Sequence, residues 1–290
     1  MPAMVLEILI SPKAAERNPW EMAFFGFIYA SIALFLSLWI FEDNAGMVMV
    51  FLTVIACLYL MQSTLRMEEK KDITITQELP LLKEHGRALA FFMFLFIGFV
   101  IAFSVWYTVL PQETVSKAFN VQIKTIQQVN TLTSSVHGQA IQNQGLFTLI
   151  LANNIKVLLF SILFAFFYGA GAIFILAWNA SVVGVAIGEF ARGAIGTVSG
   201  GLGLANIAIY FSSLSLGFFR YMIHGSLEIL AYFTAALGAG IISIAVARHE
   251  FQEDKFKRIL VDSVDLIVIS VAILLVAALV EVYITPVFFS

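Results

Sequence analysis

Apolar residues run along this chain in long unbroken blocks, with neither the strict alternation of a half-buried strand nor the narrow stripe of a soluble amphipathic helix. A hydrocarbon core about 30 Å thick needs about 20 residues of helix to cross it. Blocks of that length cover 22–41, 46–65, 88–110, 155–178, 225–247 and 263–285. Only the polar turn EDNAG separates the first two, which read as a helical hairpin. Between residues 179 and 224 the pattern is less regular. The glycine-rich NASVVGVAIGEFARGAIGTVSGGLG, interrupted by Glu189 and Arg192, precedes an apolar run over 204–219.

Short cytoplasmic loops are enriched in Lys and Arg, which turns the blocks into a topology. Lys13 and Arg17 precede the first block. Arg66, Lys70, Lys71, Lys83 and Arg87 lie between the second and third, and Arg248, Lys255, Lys257 and Arg258 precede the last. With all three groups inside, the N-terminus is cytoplasmic and four crossings return the chain near Asn179. A crossing over 204–221 and a return over 225–247 bring Arg248 to the same side. The expected fold is all-α, a polytopic helical membrane protein of about seven transmembrane helices with an external C-terminus. Residues 179–203 form a broken or re-entrant glycine-rich element, a backbone tolerated at membrane depth only against protein or water.

This topology divides the chain into an N-terminal interfacial segment (1–21), a three-helix region (22–110), an external polar excursion (111–145), a core (146–247) and a cytoplasmic loop with the last helix (248–290). Glu7, Pro12, Glu16 and Pro19 interrupt the early apolar residues, so the first helix is expected to stay as an anchor instead of being a secretory signal. MVLEILI near the start either lies along the inner interface or frays, with Trp20 at headgroup level. RMEEKKDITITQELPLLKEHGR reads as a solvated connector in which His85 is a surface residue. In the excursion, Val115, Phe119, Ile126 and Val129 recur at near-helical steps, predicting an amphipathic helix on the outer surface that packs on its own bundle. His137-Gly138 reads as a turn.

Composition agrees with lipid as the solvent. Hydrophobic residues make up 60% and charged residues 12%, with mean hydropathy +0.94, against about half and about a quarter in soluble domains. A net charge of -3 with no massed basic segment argues against a nucleic-acid partner. The single cysteine, Cys57, rules out an intrachain disulfide and a Cys-based zinc cluster, and reads as a small buried apolar residue.

Against this background RYMIHGSLEILAYF stands out. Arg220, His224 and Glu228 lie four residues apart on one helix face, and ionisable groups in lipid are costly unless they face the bundle interior or water. Glu228 and His224 form a candidate charge-assisted pair, with Gly225 marking a close helix approach or a join between half-helices. LANNIKVLLF adds Asn153, Asn154 and Lys156 at the outer start of the fourth span, where Lys156 would oppose Glu228. These six residues form the candidate intramembrane polar cluster. The plain alternative is interhelical gluing by mutually satisfied polar groups. Asn179, Glu189 and Arg192 are the polar residues of the broken element, with Glu189 and Arg192 placed to pair at its inner mouth. Small-residue spacings such as Gly184 to Gly188 and Gly196 to Gly200, with Gly169, Gly171, Gly201, Gly203, Gly238 and Gly240, fit close helix packing. No HExxH or third ligand accompanies His224 and Glu228, and GTVSGGLG lacks the Lys-Ser/Thr ending of a phosphate loop, so no metal, cofactor or nucleotide is expected.

Asn153-Asn154, the glycine-rich helix reaching Asn179, and HGSLE (His224 to Glu228) opening an Ala/Gly-rich helix together resemble the stage II sporulation protein M family of integral membrane proteins, over about 146–247. The N-terminal half, with NPWEMAFFGFIYASIALFLSLWIF, is similar to archaeal members. In endospore formers the family namesake belongs to a membrane machine that remodels the envelope beside peptidoglycan-degrading partners, and an archaeal-type chain would have no spore role. The resemblance implies an integral membrane scaffold or membrane-organising protein, a homo-oligomer or a partner of other membrane or envelope proteins in the cell membrane. It is not expected to be an enzyme. A transporter or channel using the polar site around His224 and Glu228 is the alternative, and an intramembrane enzyme ranks third.

Overall fold

A computed structural model describes residues 11–75, 77–137, 143–165, 170–196, 204–247 and 253–289. The MVLEILI stretch, Gly138, Gly169, Gly200, Gly201, Gly203 and Arg248 lie outside these residues. All regular structure among them is helical: α1 (Pro12–Arg17), α2 (Glu21–Ile40), α3 (Ala45–Thr74), α4 (Glu78–Val109), α5 (Gln112–Ala118), α6 (Asn120–His137), α7 (Asn143–Ala165), α8 (Ala170–Gly196), α9 (Leu204–Ala247), α10 (Glu253–Leu279), a π-helical turn (Val280–Ile284) and α11 (Thr285–Phe289). Among the described residues, 7 helices are long and apolar enough to cross a membrane.

The number of spans agrees with the sequence reading, but their partition differs. The block at 155–178 does not cross as one helix: α7 ends at Ala165 and α8 begins at Ala170. Asn179 sits inside α8, where its Nδ2 donates to the Ile175 carbonyl at 2.8 Å, so the expected broken or re-entrant element is a continuous span as far as Gly196. Conversely, the two crossings assigned to 204–221 and 225–247 are one helix of 44 residues, with no break at Gly225. The physical reason is that apolar residues run on from 157 to 178 and on both sides of Gly225, so hydropathy marks oil without marking helix ends. Both changes together keep the three basic groups at one end.

The expected solvated connector is also helical. Charged straight-chain residues such as those in RMEEKKD are good helix formers, and α3 runs on to Thr74. α4 restarts at Glu78, with Pro80 in its first turn, where its missing N–H is not needed. The turn expected at EDNAG is present as a short 3-10 turn at Glu42–Asn44.

α9 is the axis of the bundle. Of its most apolar stretch 83% is buried inside the protein, against 28% for α2 and 17% for α7. It packs against α10, α8, α7 and α3, while α4 lies between α2 and α8. Phe92, Phe96, Phe99 and Phe103 repeat at intervals of four, three and four along α4, placing four fully buried rings on one face. Phe92 meets Phe233 of α9 with ring centroids 4.6 Å apart. The amphipathic helix expected in 111–145 is α6, which packs on α8 as anticipated. Val115 and Phe119 are buried, and Gln122 donates to the Gly46 carbonyl at 3.0 Å and to Ser181 Oγ at 3.1 Å. Cys57 is buried among apolar neighbours, as expected.

Lipid does not drive apolar helices together, so close backbone approach carries much of the association. The tightest crossing joins α2 to α4. A Cβ added at Gly98 would collide with the Ala23 carbonyl, and one at Gly26 would lie 2.5 Å from the Leu95 carbonyl oxygen. Gly184 and Gly188 of the expected set press on Phe103 and Tyr107. Gly98→Ala is expected to cost about 1–3 kcal/mol, read as a lower melting temperature of the purified protein in detergent. Gly86→Ala, whose new Cβ meets nothing within 4 Å, is expected to be neutral or stabilising by up to about 1 kcal/mol.

Candidate functional site

Two polar centres occupy different depths of the bundle. The first is the intramembrane group anticipated around Glu228. Asn154 of α7 donates from Nδ2 to Glu228 Oε1 at 2.7 Å. Glu281, in the π-helical turn after α10, brings its carboxyl into hydrogen-bond contact with that of Glu228. One turn earlier on α9, His224 Nδ1 lies 3.4 Å from Thr285 Oγ1, which itself donates to the Val280 carbonyl at 3.1 Å. Arg220 sets its guanidinium 5.9 Å from the centre of the Phe190 ring of α8.

Arg220, His224 and Glu228 therefore share one side of α9 but do not pair with one another. Each addresses a different neighbour: α8, the start of α11, and α7 with the π-helical turn. The four-residue spacing acts as a stripe of three separate attachments, and the expected His224–Glu228 pair is replaced by contacts across helices. Lys156 does not oppose Glu228; it is exposed, as is Asn153. The reason is helical geometry. Asn154 faces α9, and a residue two positions on is turned by about 200°, which carries Lys156 to the outside.

Glu189 and Arg192 lie at the end of the bundle away from the basic groups, not at an inner mouth beside them. Arg192 donates to Gln112 Oε1 and to the Leu110 carbonyl, and its guanidinium lies 5.3 Å from the centre of the Tyr107 ring. Glu189 is exposed, so the expected Glu189–Arg192 pair gives way to a clamp from α8 onto the turn between α4 and α5. Asn179 acts within α8 alone.

The second centre was missed. At the basic end Glu68 and Asp72 are fully buried and His85 is 2% exposed. His85 Nδ1 lies 2.7 Å from Glu68 Oε2, and Nε2 lies 3.0 Å from Asp72 Oδ1. Only the imidazolium carries a proton on both ring nitrogens, so a ring bracketed by two carboxylates fits its charged form. Lys71 Nζ ties in Glu16 at 2.8 Å, Glu68 at 2.8 Å and Glu84 at 3.4 Å. Burial pushes the Glu16 carboxyl up from its ordinary value, and the hydrogen bond from Lys71 pulls against that. Arg258 of α10 donates to the Ile75 carbonyl at 3.1 Å. The network joins α1, α3 and α4, and His85 is a buried hub where a surface residue was expected. The signal available was the spacing of Glu68 and Asp72, four apart on a helix, once the segment is read as helix. Glu281 was missed too, although an ionisable residue inside an apolar block is itself a flag. Among the described residues, no group of three or more His, Cys, Asp or Glu is arranged to hold a metal ion.

His85→Leu leaves Asp72 buried without its cation and Glu68 with Lys71 alone, and is expected to cost about 3–5 kcal/mol, measured by thermal or denaturant unfolding in detergent. Asn154→Leu removes the amide donor to Glu228 Oε1 and is expected to cost about 1–3 kcal/mol. Lys156→Gln should stay within about 0.5 kcal/mol of wild type, and combining it with a Glu228 change should be additive in a double-mutant cycle.

No curated protein and no solved structure matches the chain. A match to a family model extends well beyond the 146–247 region of the sequence resemblance, taking in α4, nearly all of α3, α10 and the π-helical turn with Glu281. Residues 47–286 match the model of stage II sporulation protein M, and with its seven span-length apolar helices the chain is a multi-pass membrane protein belonging to that family.

Proposed function

We propose that the protein is an integral membrane scaffold or membrane-organising protein, without catalytic chemistry of its own, that works as a homo-oligomer or with other membrane or envelope proteins. One observation carries this reading. The ionisable residues Arg220, His224 and Glu228 of α9 are each engaged by a neighbouring helical element, and the axial stretch from Ala231 to Ile241 is buried at every position. A core closed in this way suits a rigid element that holds other components in register. The proposed orientation has the N-terminus inside and the C-terminus outside. The gathering at one end of Lys13, Arg17, Lys70, Lys71, Arg87, Lys255, Lys257 and Arg258 supports it.

A transporter or channel is the second reading, favoured by two carboxyl groups in contact within the membrane, one of them on a π-helical turn, an irregularity frequent at functional sites. Two substitutions separate the readings. Glu228→Leu removes the acceptor of Asn154 and the partner of Glu281, and is expected to lower stability and detergent-resistant assembly by about 1–3 kcal/mol. Glu228→Gln retains an acceptor and a donor and should keep the fold. The scaffold reading expects no solute or ion flux in proteoliposomes from wild type or Glu228→Gln. Flux in wild type that disappears in a stably folded Glu228→Gln variant would replace it with transport.

A further inference from the structure

We propose that Glu228 and Glu281 form a proton-operated clasp, which fastens the end of α10 to α9 when the pair holds a shared proton and loosens it when that proton leaves. The inference holds whether the protein is a scaffold or a transporter, because it concerns how three helices are joined.

Glu228 Oε1 already accepts from Asn154. Its contact with the Glu281 carboxyl sets acceptor against acceptor unless one of the two acids carries a hydrogen. With one proton between them the contact is a charge-assisted hydrogen bond. With none, two like charges face each other on side chains that are both only partly exposed. The groups around the pair are insufficient to neutralise a second charge. On α9, Tyr232 lies within electrostatic reach of both acids and is uncharged as a phenol. His224, one turn away on the same helix, meets Thr285. On α7 the facing residue is Asn154, while Lys156 is exposed. Tyr283 in the π-helical turn is exposed as well.

The backbone gives the clasp a part that can yield. Glu281 sits in the π-helical turn Val280–Ile284, where Thr285 Oγ1 reaches back five residues to the Val280 carbonyl. A π turn is a local irregularity within an otherwise regular helix, and shifting it to α-helical geometry rotates the following residues. Repulsion between two ionised carboxylates would act on this turn first, since the Glu228 side of the contact belongs to the long buried helix α9.

The test uses the full chain in lipid nanodiscs, with melting temperature followed from about pH 5 to about pH 9. The basic-end network titrates in every variant, so the measured quantity is the difference between wild type and variant. Glu281→Gln and Glu228→Gln each replace the shared proton with a permanent amide donor. Wild type is expected to lose several degrees of melting temperature as pH rises that neither Gln variant loses. A fall in both variants as large as in wild type would overturn the clasp. Infrared difference spectra read the proton directly, the band of the pair being the one that wild type shows and Glu281→Gln lacks. A protonated carboxyl stretch should be present near neutral pH and vanish on alkalinisation together with a change in the helical amide band. A carboxyl band absent at neutral pH, or one whose loss leaves the amide band unchanged, would also overturn it.

Discussion

Lipid offers no partner for a hydrogen bond, so every polar atom carried into the membrane must find one within the protein. That constraint explains the structure at three scales. It confines the backbone to helices. It turns isolated hydroxyls back onto their own helices, as Ser37, Thr53, Thr64 and Thr234 donate to carbonyls three or four residues earlier. It also makes larger polar groups into fasteners between helices: Trp106 donates to Ser31 across α4 and α2, Gln122 joins α6 to α3 and α8, and Asn154 joins α7 to α9. Few such groups are needed, because each has little choice of partner.

Between these fasteners the helices associate by fit. The glycine pair at the α2–α4 crossing lets two backbones touch, and the phenylalanine face of α4 fills the space toward α8 and α9. The two arrangements are complementary, since close approach on one side of α4 leaves room for large rings on the other. The polar centres then lie where helices from distant parts of the sequence meet. Glu68, Lys71, Asp72 and His85 bind the basic end of α3 and α4 to α1, and Glu228 with Glu281 binds α9 to the end of the last long helix.

The candidate site was legible in part. An ionisable residue inside an apolar block is visible in the sequence, so Arg220, His224, Glu228 and Asn154 stood out, and Glu281 obeyed the same rule although it was passed over. Their partners were not legible. Lys156 looked like the natural counter-ion by charge, yet the helical rotation that turns Asn154 toward α9 turns Lys156 away from it. The buried hub at His85 was hidden because a mixed-charge segment normally implies solvent. Only the continuation of α3 and α4 past the apolar blocks brings α1 over those charges and removes them from water.

By itself the sequence determined the solvent, the all-helical class, the number of spans and the collection of basic residues at one end, because each of these depends on the total of local transfer free energies along the chain. The tertiary structure alone decided where α7 gives way to α8, that α9 is a single axis of 44 residues, and which polar groups meet. Those outcomes depend on contacts between helices remote in sequence. At Gly171 a Cβ would collide with Phe164, so the two helices can approach closely at their joined ends. At Gly225 a Cβ would meet nothing within 4 Å, and the helix continues through it. A hydropathy profile records the same two glycines in the same apolar surroundings, and only the neighbouring helices distinguish them.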